Sequence, residues 1–172
     1  QFTRESARKI QCQSNIKQMG IALQNFHSTH GTFPAGKLDL NNVGHSWCTS
    51  LLPFLEQAPL AGRIDLSKPW DDVGGNEEAS LTSLSVFFCP TSVIQFRGGM
   101  DYCGITGGTQ GGLPLGDGRA EALGSGVLVT VNDANPTYIS FRDITDGSSN
   151  TICVSESAGR NDDTGRWASG NN

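Results

Sequence analysis

The chain has 172 residues and a net charge of −5, from 12 basic and 17 acidic side chains. That length lets a single domain bury a core without metal or disulfide help, and the acidity argues against nucleic acid as a partner, because phosphate neutralisation needs a basic face. Mean hydropathy is −0.29 and no apolar run approaches about 18 residues, which excludes a membrane span within these residues. Glycine is in excess at 22 residues, half of them between Gly98 and Gly126. The chain opens on Gln1, and its methionines are Met19 and Met100, so an upstream segment is expected.

The first thirty residues read as one amphipathic helix. Cys12, Ile16, Met19, Leu23 and Phe26 follow steps of 4, 3, 4 and 3, a single stripe at helical period. Gly20 falls inside the stripe; a glycine there weakens a helix by about 1 kcal/mol, so close approach of another element is expected at that point. Gly31 stops the helix, with Pro34 just beyond. No convincing cap precedes it, so the helix reads equally as the end of a longer one or as a frayed first turn at Thr3. Residues 1–31 are expected to form this helix and residues 32–172 an α+β body packed on it as one domain.

Beyond a loop punctuated by Gly and Pro, Trp47–Gln57 suits a short buried helix with Pro53 in its first turn or at a kink. Asn76, Glu77 and Glu78 start another, with an N-cap residue type and acids in the first turn. Strands are expected at Val86–Cys89, Asp101–Ile105, Gly126–Val131, Tyr138–Phe141 and Thr151–Glu156, forming a largely antiparallel sheet. Gly107–Gly112 is read as an exposed loop. A long N-terminal helix, short helices and such a sheet make an α+β fold.

Chemical motifs fail when tested part by part. Gly31–Lys37 matches the start of a phosphate-binding loop, but Leu38 stands where the magnesium-ligating hydroxyl belongs and the run follows a helix. Gly44-His45-Ser46-Trp47-Cys48 lacks the closing glycine of a nucleophile elbow, and Ser46 fits a helix N-cap better. His27 and His30 share a helix face without an evident third ligand and read as helix-end packing. Asp39–Gly44 starts like a calcium loop, yet Val43 and Ser50 occupy ligand positions. Asp71 with Asp72 and Asp162 with Asp163 remain as weak metal candidates, calcium being the ion suited to their oxygens. No catalytic residue and no cofactor is assigned.

Five cysteines, Cys12, Cys48, Cys89, Cys103 and Cys153, include no Cys-x-x-Cys pair. They suit either two disulfides with one spare thiol or a set of buried small hydrophobes.

The run from Cys12 to His27, CQSNIKQMGIALQNFH, is followed by Gly31-Thr32-Phe33-Pro34, then by Trp47 with Leu51–Gln57, Pro69-Trp70-Asp71, Phe88-Cys89-Pro90-Thr91-Ser92 and Asp143–Thr151. In that order these blocks resemble the large bacterial family of prepilin-like proteins with an N-terminal cleavage and methylation motif, similar to the major pseudopilin of type II secretion. The resemblance implies a pilin-like fold, an upstream leader and apolar anchoring helix, a cell-envelope location facing the periplasm or exterior, and a non-catalytic role through self-assembly or secretion-system partners. Such domains are also labelled solute-binding-like, which leaves a ligand-binding role as the alternative. The resemblance further implies that Cys12 and Cys89, both within matching blocks, form a disulfide. Members of this family often end with a histidine followed about ten residues later by Asp-Gly; the histidines in these residues are His27, His30 and His45, so either a C-terminal part is removed or this is a divergent member, and the role of that motif stays open.

Overall fold

The computed structural model describes residues 2–92, 96–105, 126–134, 136–145, 147–157 and 166–169. Helix α1 spans Phe2–His30, 29 residues or about 44 Å at 1.5 Å per residue. Gly31, at φ +77°, takes the left-handed conformation that ends it, and its N–H reaches the His27 carbonyl at 2.7 Å. The rest of the body is built from short pieces: β1 (Lys37–Asp39), β2 (His45–Ser46), α2 (Trp47–Leu51), α3 (Ala58–Ala61), α4 (Asn76–Ser80), β3 (Tyr102–Gly104), β4 (Thr130–Asn132) and β5 (Val154–Glu156). The α+β class holds, with the long helix packed on a small mixed sheet.

β1 is central, antiparallel to β2 and parallel to β4, in register Leu38 with His45 and Leu38 with Val131. Two of the three described pairings are antiparallel, in line with a largely antiparallel sheet; the β1–β4 pairing is parallel, and the long chain between these strands permits it because parallel strands need a crossover. β3 and β5 form a separate antiparallel ladder.

Two expected strands are 3₁₀ turns instead. Ser85–Phe87 turns once, and the Cys89 N–H, which a ladder would bond, donates to the Asp101 carboxylate at 2.8 Å. At Ser140 the backbone N–H and hydroxyl both donate to Asp143 Oδ2 at 2.7 Å. This Ser-x-x-Asp capping box coils Phe141–Asp143 and removes the strand expected over Tyr138–Phe141.

The core gathers Met19, Leu23, Trp47, Leu51, Leu52, Phe87, Met100, Tyr102, Leu128 and Trp167, all at most 4% exposed. Ser46 caps α2, its Oγ accepting from the Cys48 N–H at 3.0 Å. Pro53 sits in the first turn of a 3₁₀ segment, Leu52–Leu55. Asn76 is not a cap but the first residue of α4; its buried amide donates to the Asp65, Lys68 and Pro69 carbonyls and accepts from the Asp65 N–H. Gly98, at φ +71°, lets two backbones meet: a Cβ there would lie 2.0 Å from the Ser80 carbonyl oxygen.

Candidate functional site

The α1 face that packs on the body is Cys12, Asn15, Met19, Ala22 and Leu23, with Phe26 half-buried. The buried arc keeps Cys12, Met19, Leu23 and Phe26 of the apolar stripe and departs from it at one position, where Asn15 is 1% exposed and Ile16 is 38% exposed. Gly20 corrects a second expectation: among the described residues nothing lies within 4 Å of where its Cβ would stand, so none of them makes a close approach there.

Asn15 is drawn inward by backbone carbonyls of an irregular segment. The turn at Ser85–Phe87 has no ladder partner, and Asn15 Nδ2 donates to the Phe88 carbonyl at 2.7 Å and the Ser85 carbonyl at 3.3 Å. Its Oδ1 accepts from Gln11 Nε2 at 3.0 Å. One turn earlier, Cys12 is disulfide-bonded to Cys89, with Cα atoms 5.1 Å apart across a sequence separation of 77. From the far side the buried Asp101 carboxylate accepts from the Cys89 N–H and from Ser92 Oγ, at 2.8 and 2.9 Å. The Phe88–Ser92 turn is thus held by a covalent bond, an amide and a carboxylate. Asn15 and Asp101 escape a search of the sequence for apolar periodicity, because their role is to satisfy irregular backbone. The signal open to such a search is a polar residue flanked by buried-face neighbours at helical spacing.

Beside this junction lies a groove of about 710 Å³, lined by Gln11, Ser83, Ser85, Phe88, Phe96 and Arg97. It combines two aromatic rings, two hydroxyls, an amide and a guanidinium on one surface.

The other sequence candidates do not converge here. His27 Nε2 accepts from the Phe141 N–H at 3.3 Å, and its ring packs on Phe33 and Phe141. His30 stacks on Phe26 at 4.1 Å between ring centroids. Both histidines pack the helix end. Asp72 pairs with Lys68 at 3.5 Å, and Asp71 is exposed. Asp162, Asp163 and the Gly107–Gly112 run lie outside the described residues. Among the described residues, one group of three brings metal-ligand atoms within 4.8 Å of one another: Cys12, Cys89 and Glu156. Two of its sulfurs are in the disulfide, which removes the thiolates that a metal would require.

A second cluster shows how a buried polar group can be left short. His45 is 1% exposed; its Nε2 lies 2.8 Å from the Lys68 carbonyl, and its Nδ1 has no hydrogen-bond partner among the described residues. Burial holds its pKa below the ordinary 6.5, against the opposing pull of the Lys68 carbonyl and Asp65, so the ring is neutral with Nε2 carrying the proton.

A family model described as "Protein of unknown function (DUF1559)", SBP_bac_10, matches residues 1–172. The chain belongs to this family. The DUF1559 family is associated with pilin-like, prepilin-type proteins, which agrees with the long helix joined to a small α+β body. No curated protein and no solved structure matches the chain. No described helix of this family member is long and apolar enough to cross a membrane.

Proposed function

We propose that this domain is the exposed part of a pilin-like or pseudopilin-like envelope protein, non-catalytic, anchored through an apolar helix upstream of α1 and acting by assembly with its own copies or with secretion partners. One observation carries the reading. Residues 2–11 of α1, about 15 Å of helix, are all exposed and burial begins only at Cys12, with Glu5, Ser6 and Lys9 bordering a shallow pocket beside Thr91 and Glu156. A helix of that kind, packed on the body from Cys12 onward and solvent-exposed before it, serves as a stalk whose outer turns are available to other helices. Cleavage and methylation of the upstream segment belong to the same proposal.

Fractionation of cells expressing the complete gene product tests it. The protein is expected in the membrane pellet and released by detergent but not by high salt. Recovery in the soluble fraction overturns the anchor.

The groove beside Phe88 favours a second reading, a ligand-binding module for a solute or glycan, with calcium as an ion to include in the screen. A thermal-shift screen separates the two, because a ligand at 100 times its Kd adds about 2.7 kcal/mol.

A further inference from the structure

The five cysteines fall into three environments. Cys12 and Cys89 form the bridge at the base of α1. Cys48 is fully buried, its sulfur 3.4 Å from Met100 Sδ. Cys103 and Cys153 are half-buried thiols on the β3–β5 ladder.

The register sets how these last two face each other. Cys103 stands opposite Ser155, Gly104 opposite Val154, and the Ile105 N–H donates to the Cys153 carbonyl at 2.8 Å, extending the pairing by one residue. Side chains alternate along a strand. Tyr102 is fully buried and a Cβ on Gly104 would lie 2.9 Å from Trp47 Nε1, so those two positions face the core. By alternation Cys103, Ser155 and Cys153 fall on the opposite side, with the two thiols as diagonal neighbours and Cys153, just before β5, also packed against the core.

We propose that Cys103 and Cys153 are a redox-responsive pair that closes a second disulfide and latches β5 to β3. Diagonal neighbours on an antiparallel pair stand about 7–8 Å apart, somewhat less at Cβ, whereas a disulfide needs Cβ atoms about 3.5–4.5 Å apart and Cα atoms within about 7 Å, so closing this one moves the backbone. The remaining approach falls to strands three residues long in a two-stranded ribbon, the arrangement in which twist is largest. The oxidant is a low-molecular-weight or protein disulfide. One thiolate attacks it to give a mixed disulfide and releases one thiol; the second protein thiolate displaces the other half. Two electrons and two protons thus pass from the pair to the donor, which leaves as two thiols. Burial raises the Cys153 thiol above its ordinary range, so Cys103 is the sulfur expected to meet the donor first.

The native protein, with its Cys12–Cys89 bridge intact, is incubated with oxidised glutathione, unfolded, and its thiols are counted. The expected count falls from three to one, with loss of two hydrogens in the intact mass. Tryptic peptides 98–119 and 143–160, which carry Cys103 and Cys153, are then joined. Alkylation of both cysteines after oxidation, glutathione retained on Cys103, or a bridge to Cys48 overturns the proposal. A second protein, Cys153→Ser with Ser155→Cys, puts the thiol directly opposite Cys103. If it bridges while the unaltered chain does not, the diagonal is too wide and the latch is refuted with the register intact.

Discussion

The two ends of α1 obey the same local rules in different surroundings. From Cys12 onward the helix is held by a disulfide, by Asn15 bonded to two backbone carbonyls, and by Met19, Ala22 and Leu23 in the core. From Phe2 to Gln11 every residue is exposed, and Phe2 and Ile10 are 92% and 65% accessible. An isolated helix of about ten residues is marginal in water, so the outer turns depend on the inner ones as a rigid base from which helix propagates. The difference teaches that anchoring runs from Cys12 to Phe26, with its covalent and hydrogen-bonded part at Cys12 and Asn15, and that the outer turns are left exposed.

The largest test removes the covalent part of that base. Replacing both Cys12→Ser and Cys89→Ser opens a loop with a sequence separation of 77, for which chain entropy gives a loss of about 4 kcal/mol. Urea unfolding reads the loss, and amide exchange over residues 2–15 should accelerate as the base comes to resemble the outer turns. A loss below about 1 kcal/mol would place the anchoring elsewhere.

Next in size is Asn15→Ala, which takes the side-chain donor from the Phe88 carbonyl and leaves the Ser85 carbonyl with the Phe88 N–H; it should lower stability by about 1–3 kcal/mol. Ile16→Ala is the matched comparison. Its side chain is 38% exposed, and its loss should fall well short of that at Asn15, the reverse of what an apolar stripe predicts.

That reversal marks what could be read from residues alone. The helix, its stop at Gly31, the Ser46 cap and the α+β class follow from spacing and turn chemistry acting over a few residues. Asn15, Asp101 and Asn76 were not legible as anchors, because each answers carbonyls or N–H groups that only folding brings near. Val86–Cys89 and Tyr138–Phe141 have strand composition, yet their backbone groups find Asp101 and Asp143 instead of a ladder. Composition sets which residues can be buried; where the irregular backbone finds partners decides which polar residues join them.

His45 extends the comparison to the other wall of the core, where a buried polar ring keeps one nitrogen without a hydrogen-bond partner among the described residues. Its folded pKa lies below the unfolded 6.5, so the unfolded chain binds more protons in that range and stability falls as pH drops through 6.5. Above about pH 7 the contribution is complete. Asp65 acts in a separate window: Ser67 holds its carboxyl below the ordinary 3.8, so its favourable contribution is lost only in stronger acid. Urea midpoints at pH 7.5 and 5.0 should therefore differ, and His45→Gln should flatten that difference. A midpoint unchanged between the two pH values would show that the ring charges without penalty.

The smallest expected effect is the most discriminating for the stalk. Ile10→Ala removes a side chain that touches no core residue, so the domain's own stability should change by no more than about 0.5 kcal/mol, as is usual for surface substitutions. Assembly of the complete protein need not be so tolerant. If the outer turns of α1 meet other helices, the same substitution should reduce cross-linking between copies in the envelope while leaving the isolated domain's unfolding curve in place. Losing stability and assembly together would mean that Ile10 supports the fold from within. Losing neither would leave Phe2–Gln11 as a spacer, with assembly carried by some other surface.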